Sequence, residues 1–279
     1  MDITQLKNLK QMIDYAASEF GSRDFIQYKT EDGIAHKTYT QLKASCDAFS
    51  NMLEKKNLKG AHVAIVGATS FNWIAAYFGT ADSSGVCVPL APNETAEMNC
   101  RLMEFADVDV LVFDSKCKAL YETAKKSCPD IKLFISSDNM ADEFAVNMDD
   151  ILNEYAGEYH GEPDGDALCA IVFTSGTTGF PKGVMTTHLN LVYSAVSVHL
   201  ACPTTKMFCC LPIHHAFCFT ANITKSICRG KTVCVNDNLA NIIQDLRLFK
   251  PDSIVAVPQL VKKIMGGAIK YAASKPEMN

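Results

Sequence analysis

The sequence predicts an α/β fold of parallel β-sheets flanked by helices, and three observations point to it. From residue 62 onward, short apolar runs of strand length alternate with amphipathic runs of helix length. Some of the short runs are apolar throughout: Cys169-Ala170-Ile171-Val172-Phe173 has the pattern of a central parallel strand covered on both faces. Of the 279 residues, 48% are hydrophobic, which supports a packed core and argues against global disorder.

The elements follow in order. Leu6, Leu9, Met12, Ile13 and Ala16 keep helical spacing and predict an opening helix, with Lys7, Lys10 and Asp14 on a solvated face. Residues 25–29 and 34–39 flank Glu31-Asp32-Gly33 and predict a β-hairpin. Thr40 is placed to cap a helix whose apolar stripe is Leu42, Cys46, Phe49, Met52 and Leu53. Strands are then expected at 62–66, 85–88, 108–113 and 131–135. Helices are expected at 71–81, 96–106 (capped by Thr95) and 116–126.

Residues 138–166 break the rhythm with ten carboxylates and no Lys or Arg, and read as an acidic surface connector holding one short helix at 148–155. Past the strand at 169–173, strands are expected at 183–186, 207–211, 232–235 and 253–256. Helices are expected at 188–200, 217–228, 239–249 and 259–272. The division expected from this rhythm is a helix and hairpin region over 1–60, a first α/β subdomain over 61–200, and the start of a second over 201–279.

Several function classes are disfavoured. The formal charge is −5, and no Lys/Arg cluster marks a nucleic-acid surface. The apolar stretch 74–92 is interrupted by Asp82, Ser83, Ser84, Gly85 and Pro89, so no transmembrane segment is expected. The N-terminus lacks a basic segment followed by an apolar one, so no secretory signal is expected. The 12 cysteines then read as small hydrophobes in a reduced, cytoplasmic protein. Cys209, Cys210, His214, His215 and Cys218 cluster in sequence but lack a C-x-x-C pair or a second ligand pair, so no metal site is expected there.

The chemistry concentrates in residues 174–184, which read Thr-Ser-Gly-Thr-Thr-Gly-Phe-Pro-Lys-Gly-Val. Glycines let backbone N–H groups approach a phosphate, hydroxyls donate to its oxygens and a lysine supplies charge. The candidate phosphate-binding residues are Thr174, Ser175, Gly176, Thr177, Thr178, Gly179 and Lys182. This is not the G-x-x-x-x-G-K-[ST] loop, since Pro181 takes the second glycine position and Gly183 the hydroxyl position. The bland alternative is a flexible Gly/Ser/Thr linker. Against it stands the strand just before the loop, because open α/β sheets bind ligands at the carboxyl ends of their strands.

The loop resembles the phosphate-binding loop of the adenylate-forming enzymes, which include acyl-CoA synthetases, luciferases and peptide-synthetase adenylation domains. The resemblance continues in Ser84-Gly85-Val86-Cys87-Val88-Pro89-Leu90, in Gly183-Val184-Met185-Thr186-Thr187-His188 and in Leu211-Pro212-Ile213-His214-His215-Ala216-Phe217. It reaches Phe249-Lys250-Pro251-Asp252-Ser253 and Val257-Pro258-Gln259-Leu260. It implies the first part of the large N-terminal domain of that fold, with the second subdomain incomplete. The family's later motifs have no counterpart in these residues. They are a Gly-Gly-Ala-Pro segment, an aromatic-Gly-x-Thr-Glu motif whose glutamate helps hold magnesium, a ribose-binding aspartate, and a lid with a catalytic lysine. The expectation is an N-terminal fragment, missing the C-terminal half and inactive alone.

By this resemblance the parent enzyme uses ATP, Mg2+ and coenzyme A. It joins a carboxylic acid to AMP, releases pyrophosphate and passes the acyl group to coenzyme A. Lys182 is then a catalytic cation, and His215 lies near the acyl carboxylate; the alternative for His215 is a histidine satisfied by backbone after a strand. The resemblance ranks His214 lower, while His188 reads as the start of a helix. Amino-acid-activating relatives usually carry an aspartate soon after the Leu-Pro motif, and residues 213–219 hold no carboxylate. A fatty or aryl acid is therefore favoured, and the motif looks most like long-chain fatty acid–CoA ligases. An amino-acid-activating adenylation domain and a non-enzymatic phosphate-binding or interaction fragment remain alternatives.

Overall fold

The computed structural model describes residues 3–174, 180–197 and 204–273. A 3₁₀ turn, Ile3–Gln5, leads into α1 (Leu9–Phe20), where the Asn8 side chain caps the helix by accepting from Gln11 N. Lys10 does not lie on a solvated face: it is buried where α1 packs into the core, and its ammonium pairs with Asp14 at 2.8 Å. The hairpin β1 (Asp24–Thr30) and β2 (Gly33–Thr38) is antiparallel. It runs directly into α2 (Tyr39–Lys55). The cap of α2 is Thr38 rather than Thr40, because Thr38 and Gln41 form a reciprocal capping box.

The alternating stretch comprises β3 (His62–Val66), α3 (Phe71–Asp82), β4 (Val86–Leu90), α4 (Ala96–Phe105), β5 (Val110–Phe113), α5 (Lys118–Ser127) and β6 (Leu133–Ser136). Ser70 and Thr95 cap α3 and α4 through their hydroxyls. The acidic connector is more than a helix-bearing loop: Ala145–Asn147 forms β7, an added edge strand parallel to β6, ahead of α6 (Met148–Glu154). Next come β8 (Leu168–Thr174), β9 (Lys182–Thr187) and α7 (His188–Ser197).

The remainder holds β10 (Lys206–Cys209), α8 (Ala216–Cys218), a π-helical stretch Phe219–Thr224, and α9 (Lys225–Arg229). The chain continues through β11 (Thr232–Val235), α10 (Ile242–Phe249), β12 (Ser253–Ile254) and α11 (Pro258–Ala273). The helix expected over 217–228 thus has a π-helical middle, where Phe219 packs on Tyr77 with ring centroids 4.2 Å apart.

Two sheets result, ordered β7-β6-β5-β3-β4-β8-β9 and β12-β10-β11-β1-β2. The sheets cross the expected division at residue 60, because β1 pairs in parallel with β11 and the N-terminal hairpin belongs to the sheet of residues 206–254. A continuous apolar core joins α1, α2 and α3 to strands of both sheets, with Trp73, Tyr77 and Phe78 among its largest side chains. At the start of α7, His188 is fully buried and its Nδ1 accepts from Leu9 N at 3.3 Å. Burial pushes its pKa down to about 4, so the ring is neutral at pH 7. Among the described residues no helix is long and apolar enough to cross a membrane.

Candidate functional site

Strand β8 is not the doubly covered central strand its apolar run suggests. It lies next to the sheet margin, pairing with β4 on one side and antiparallel with the edge strand β9 on the other. Only Cys169 and Ala170 are fully buried in it, because β9 gives little cover beyond; Val184 and Met185 of β9 are exposed. The chemical segment therefore joins the two strands of an edge hairpin. Thr174 and Lys182 are register partners that close this hairpin, and the Thr174 hydroxyl donates to the Lys182 carbonyl at 3.4 Å. Both residues are exposed, and the Lys182 ammonium has no ion-pair partner among the described residues. Ser175, Gly176, Thr177, Thr178 and Gly179 lie outside the described residues.

Aromatic packing fixes the returning arm of that hairpin. The Phe180 ring stands edge-on to Phe105 of α4, with centroids 5.4 Å apart, and the Arg101 guanidinium lies 5.0 Å above Phe180. Sequence reasoning took no account of this anchor two residues before Lys182.

The histidine pair follows β10. His215 N donates to Pro212 O at 3.3 Å, forming a turn that places His215 just ahead of α8. Its imidazole makes no capping hydrogen bond and is exposed. The rings of His214 and His215 are 4.3 Å apart. His214 is the more enclosed, and burial first, then the neighbouring His215, lower its pKa to about 4.

A crevice of about 870 Å³ opens at the carboxyl edges of both sheets. It is lined by the turn after β3 (67–72), by Pro92 after β4, by 137–139 after β6, by 209–214 after β10 and by 235–239 after β11. The turn after β3 depends on Gly67, whose φ is +146° and where a Cβ would sit 2.8 Å from the Asp114 carboxylate. That carboxylate accepts from Ala68 N at 2.7 Å and so fixes the turn. His214 lines the crevice, whereas His215 and Lys182 do not, so the geometry gives the lower-ranked histidine the enclosed position. Because β4 neighbours β8, the mouth of the Thr174–Lys182 hairpin lies on the same carboxyl edge as the Pro92 wall.

Sequence reasoning missed the polar groups of this crevice. Lys29 bridges Asp245 at 3.0 Å and Asp237 at 3.3 Å, which holds its pKa above the ordinary lysine range. Lys37 lies 5.8 Å over the Phe71 ring, and Lys116 lines the opposite sheet's wall. The available signal was the small-residue run Gly67-Ala68-Thr69-Ser70 directly after a buried strand. Among the described residues, no group of three or more His, Cys, Asp or Glu side chains is placed to hold a metal ion.

Comparison with known proteins agrees with this architecture. The sequence matches the AMP-binding enzyme family over residues 13–278. It is similar to long-chain-fatty-acid–CoA ligase 5 of Rattus norvegicus, at 25% identity over 81% of this chain and 37% of that protein. It is similar to crotonobetaine/carnitine–CoA ligase of Salmonella agona, at 24% identity over 95% of this chain and 54% of that protein. The chain thus spans about half or less of the length of these relatives. The fold is similar to the inhibitor-bound N-terminal domain of FACL13 from Mycobacterium tuberculosis, with a TM-score of 0.83 and 20% identity over 98% of this chain and 66% of that one. With the family match running through both sheets and the hairpin mouth, the chain belongs to the AMP-binding enzyme family.

Proposed function

We propose that this chain supplies the phosphate-handling part of an acid–CoA ligase that activates a fatty or aryl carboxylate as acyl-AMP and passes it to coenzyme A. The observation that carries the reading is the Thr174–Lys182 pair closing a hairpin at the carboxyl edge of a sheet, beside a crevice on that same edge. The names of the curated relatives support the choice of acid–CoA ligase chemistry. The free thiols of the described cysteines support a cytoplasmic setting.

In the first step a carboxylate oxygen attacks the α-phosphorus of ATP, and the bond to the bridging oxygen breaks as pyrophosphate leaves. Lys182 offsets the charge that gathers on the leaving group, and the hydroxyls of Thr174, Ser175, Thr177 and Thr178 donate to its oxygens. His214, neutral at pH 7, lines the crevice without adding charge there. The role of His215 beside the acyl carboxylate rests on the family resemblance and on its exposed place just ahead of α8. In the second step the coenzyme A thiolate attacks the acyl carbonyl and AMP leaves. The family uses magnesium to neutralise pyrophosphate.

The test is acid-dependent ATP–pyrophosphate exchange. It is run on the 279-residue chain and on the product of the reading frame carried to its stop codon, with palmitate, benzoate and a mixture of amino acids. The expected result is exchange driven by palmitate or benzoate in a longer product and none from the chain alone. Exchange driven only by amino acids would make it an amino-acid-activating domain. Pyrophosphate binding without exchange by any product would make it a binding fragment.

A further inference from the structure

Beside Lys182, the mouth of the hairpin carries a second exposed cation. Arg101 lies on α4, one helical turn before Phe105, and its guanidinium sits 5.0 Å over the Phe180 ring. Phe180 directly follows the stretch 174–179 and stands two positions ahead of Lys182. Arg101 is exposed and has no ion-pair partner among the described residues. Glu97 lies four residues earlier on the same helix, at the spacing and in the order in which a carboxylate and a cation ordinarily pair. That pair is not formed, and the charge is turned to the loop instead.

An aromatic staple across both arms of the hairpin holds the guanidinium in that place. Phe105 meets Phe180 of the returning arm with ring centroids 5.4 Å apart, and Phe173 of the outgoing arm at 6.2 Å. Those two residues come just before the closing pair, Thr174 and Lys182. Gly183, the register partner of Phe173, leaves room for the rings: a Cβ there would stand 2.9 Å from Ile171 Cγ2 and 3.9 Å from Phe105 Cε1. Phe105 is nonetheless 62% exposed, so the staple buries little surface and governs the placing of the arms more than folding.

We propose that Arg101 is a second phosphate-binding cation of the Thr174–Lys182 hairpin, with Phe105 and Phe180 as its positioning residues. Its ligand is a pyrophosphate group, either free or at the end of a nucleoside triphosphate. A guanidinium offers two parallel N–H donors that match two phosphate oxygens, which a lysine ammonium does not. Its hold on an exposed ring is weak, so it moves onto a phosphate without first breaking an ion pair. The two cations come from different elements, Lys182 from β9 and Arg101 from α4, so an anion held by both ties the hairpin to the helix. This assignment rests on the role proposed for Lys182 and adds a specific partner to it.

The experiment titrates inorganic pyrophosphate, and separately ATP, into the 279-residue chain by calorimetry. Arg101→Gln should weaken pyrophosphate binding on the order of tenfold at low salt, at an unchanged melting temperature. The deficit should fade as KCl approaches about 1 M, where exposed charges are screened. Arg101→Lys should recover part of the loss, since the charge returns without the fork. Phe180→Leu should weaken binding several-fold and add little to Arg101→Gln, because the ring acts through the guanidinium, while Phe180→Tyr should bind as the unaltered chain does. The Arg101 Nε–H resonance should move on pyrophosphate addition, and move less in Phe180→Leu. A loss with pyrophosphate alone assigns Arg101 to the leaving group, and a loss with both ligands assigns it to the intact triphosphate as well. If Lys182→Ala weakens binding and Arg101→Gln does not, the proposal falls while the reading of the hairpin stands. If neither does, or if the unaltered chain binds no pyrophosphate, both fall. A deficit in Arg101→Gln that persists at high salt, or that adds in full to that of Phe180→Leu, would mark a structural effect and overturn the proposal. Should Phe180→Leu fail to fold, the salt dependence of Arg101→Gln, a change at an exposed position, still decides.

Discussion

In β3 and β4 every residue except His62 is buried, whereas in β9 none is. The two regions lie in one sheet and are separated only by β8. The β3–β4 centre is covered on both sides, and α3 brings Trp73 stacked on Tyr77 at 5.6 Å against the core. The β8–β9 margin ends in a strand without a buried residue, and neighbouring Val184 and Met185, which point to opposite faces, are both exposed, Met185 by 69%. The difference teaches a division of labour. Side chains at the centre give up their solvent contact for packing, so changing them alters folding. Residues at the margin keep solvent contact, so a charged ligand can reach Lys182 without unfolding anything.

The comparison is broken most forcefully at its centre. Trp73→Ala should cost about 3–5 kcal/mol of folding free energy, the usual loss for emptying a buried indole site, read from the midpoint of urea unfolding. A loss under 1 kcal/mol would mean that the centre is softer than its burial implies.

The next effect sharpens the boundary between the regions. His188 follows the exposed β9 yet is buried, with its pKa near 4 instead of 6.5. Between those pH values the unfolded chain binds a proton that the folded chain refuses. The stability tied to His188 is therefore complete above pH 6.5, falls as pH drops to 4, and is lost by no further amount below it. The loss is about 3 kcal/mol at ~1.4 kcal/mol per pH unit. Subtracting the pH–stability curve of His188→Gln from that of the unaltered chain should leave this slope; a flat difference would refute it.

At the margin the expected effects move from folding to binding. Lys182→Ala should leave folding within about 0.5 kcal/mol while weakening pyrophosphate binding by roughly 1.5–3 kcal/mol, measured by calorimetry beside a melting curve. Equal affinity for both proteins would reduce Lys182 to a solvated loop residue. The smallest effect belongs to Met185→Thr, which should change folding by less than about 0.5 kcal/mol. A larger destabilisation in that variant would show that the margin carries packing energy after all.

The alternation of strand and helix was legible in sequence because burial on both faces writes apolar runs, as in His62–Val66. The place of β8 within the sheet was not. An apolar run of that length looks the same at a centre and near a margin, and the partner β9 is chosen by tertiary pairing. The cap of α2 could have been read, since Thr38 and Gln41 have capping-box spacing, but Thr40 also offered a hydroxyl. At the candidate site, Lys182 and the histidine pair were singled out by their motifs. The crevice was not, because its walls come from both sheets and Lys29 meets Asp245 across more than 200 residues of sequence. The enclosure of His214 rather than His215 likewise depends on how the turn after Pro212 is wound.

The parallel pairing of β1 with β11 has a consequence in time. Ile26 sits beside Val233, so one edge of the N-terminal hairpin stays open until the ribosome has added about 200 more residues. At roughly 5–20 residues per second that is an exposure of about 10–40 seconds. Through that interval Phe25 and Ile26, both fully covered in the finished fold, have no strand beside them on that edge. A nascent chain of this protein stalled before residue 232 should therefore present a sticky β-edge, and be a client for whatever shields such edges at the exit tunnel.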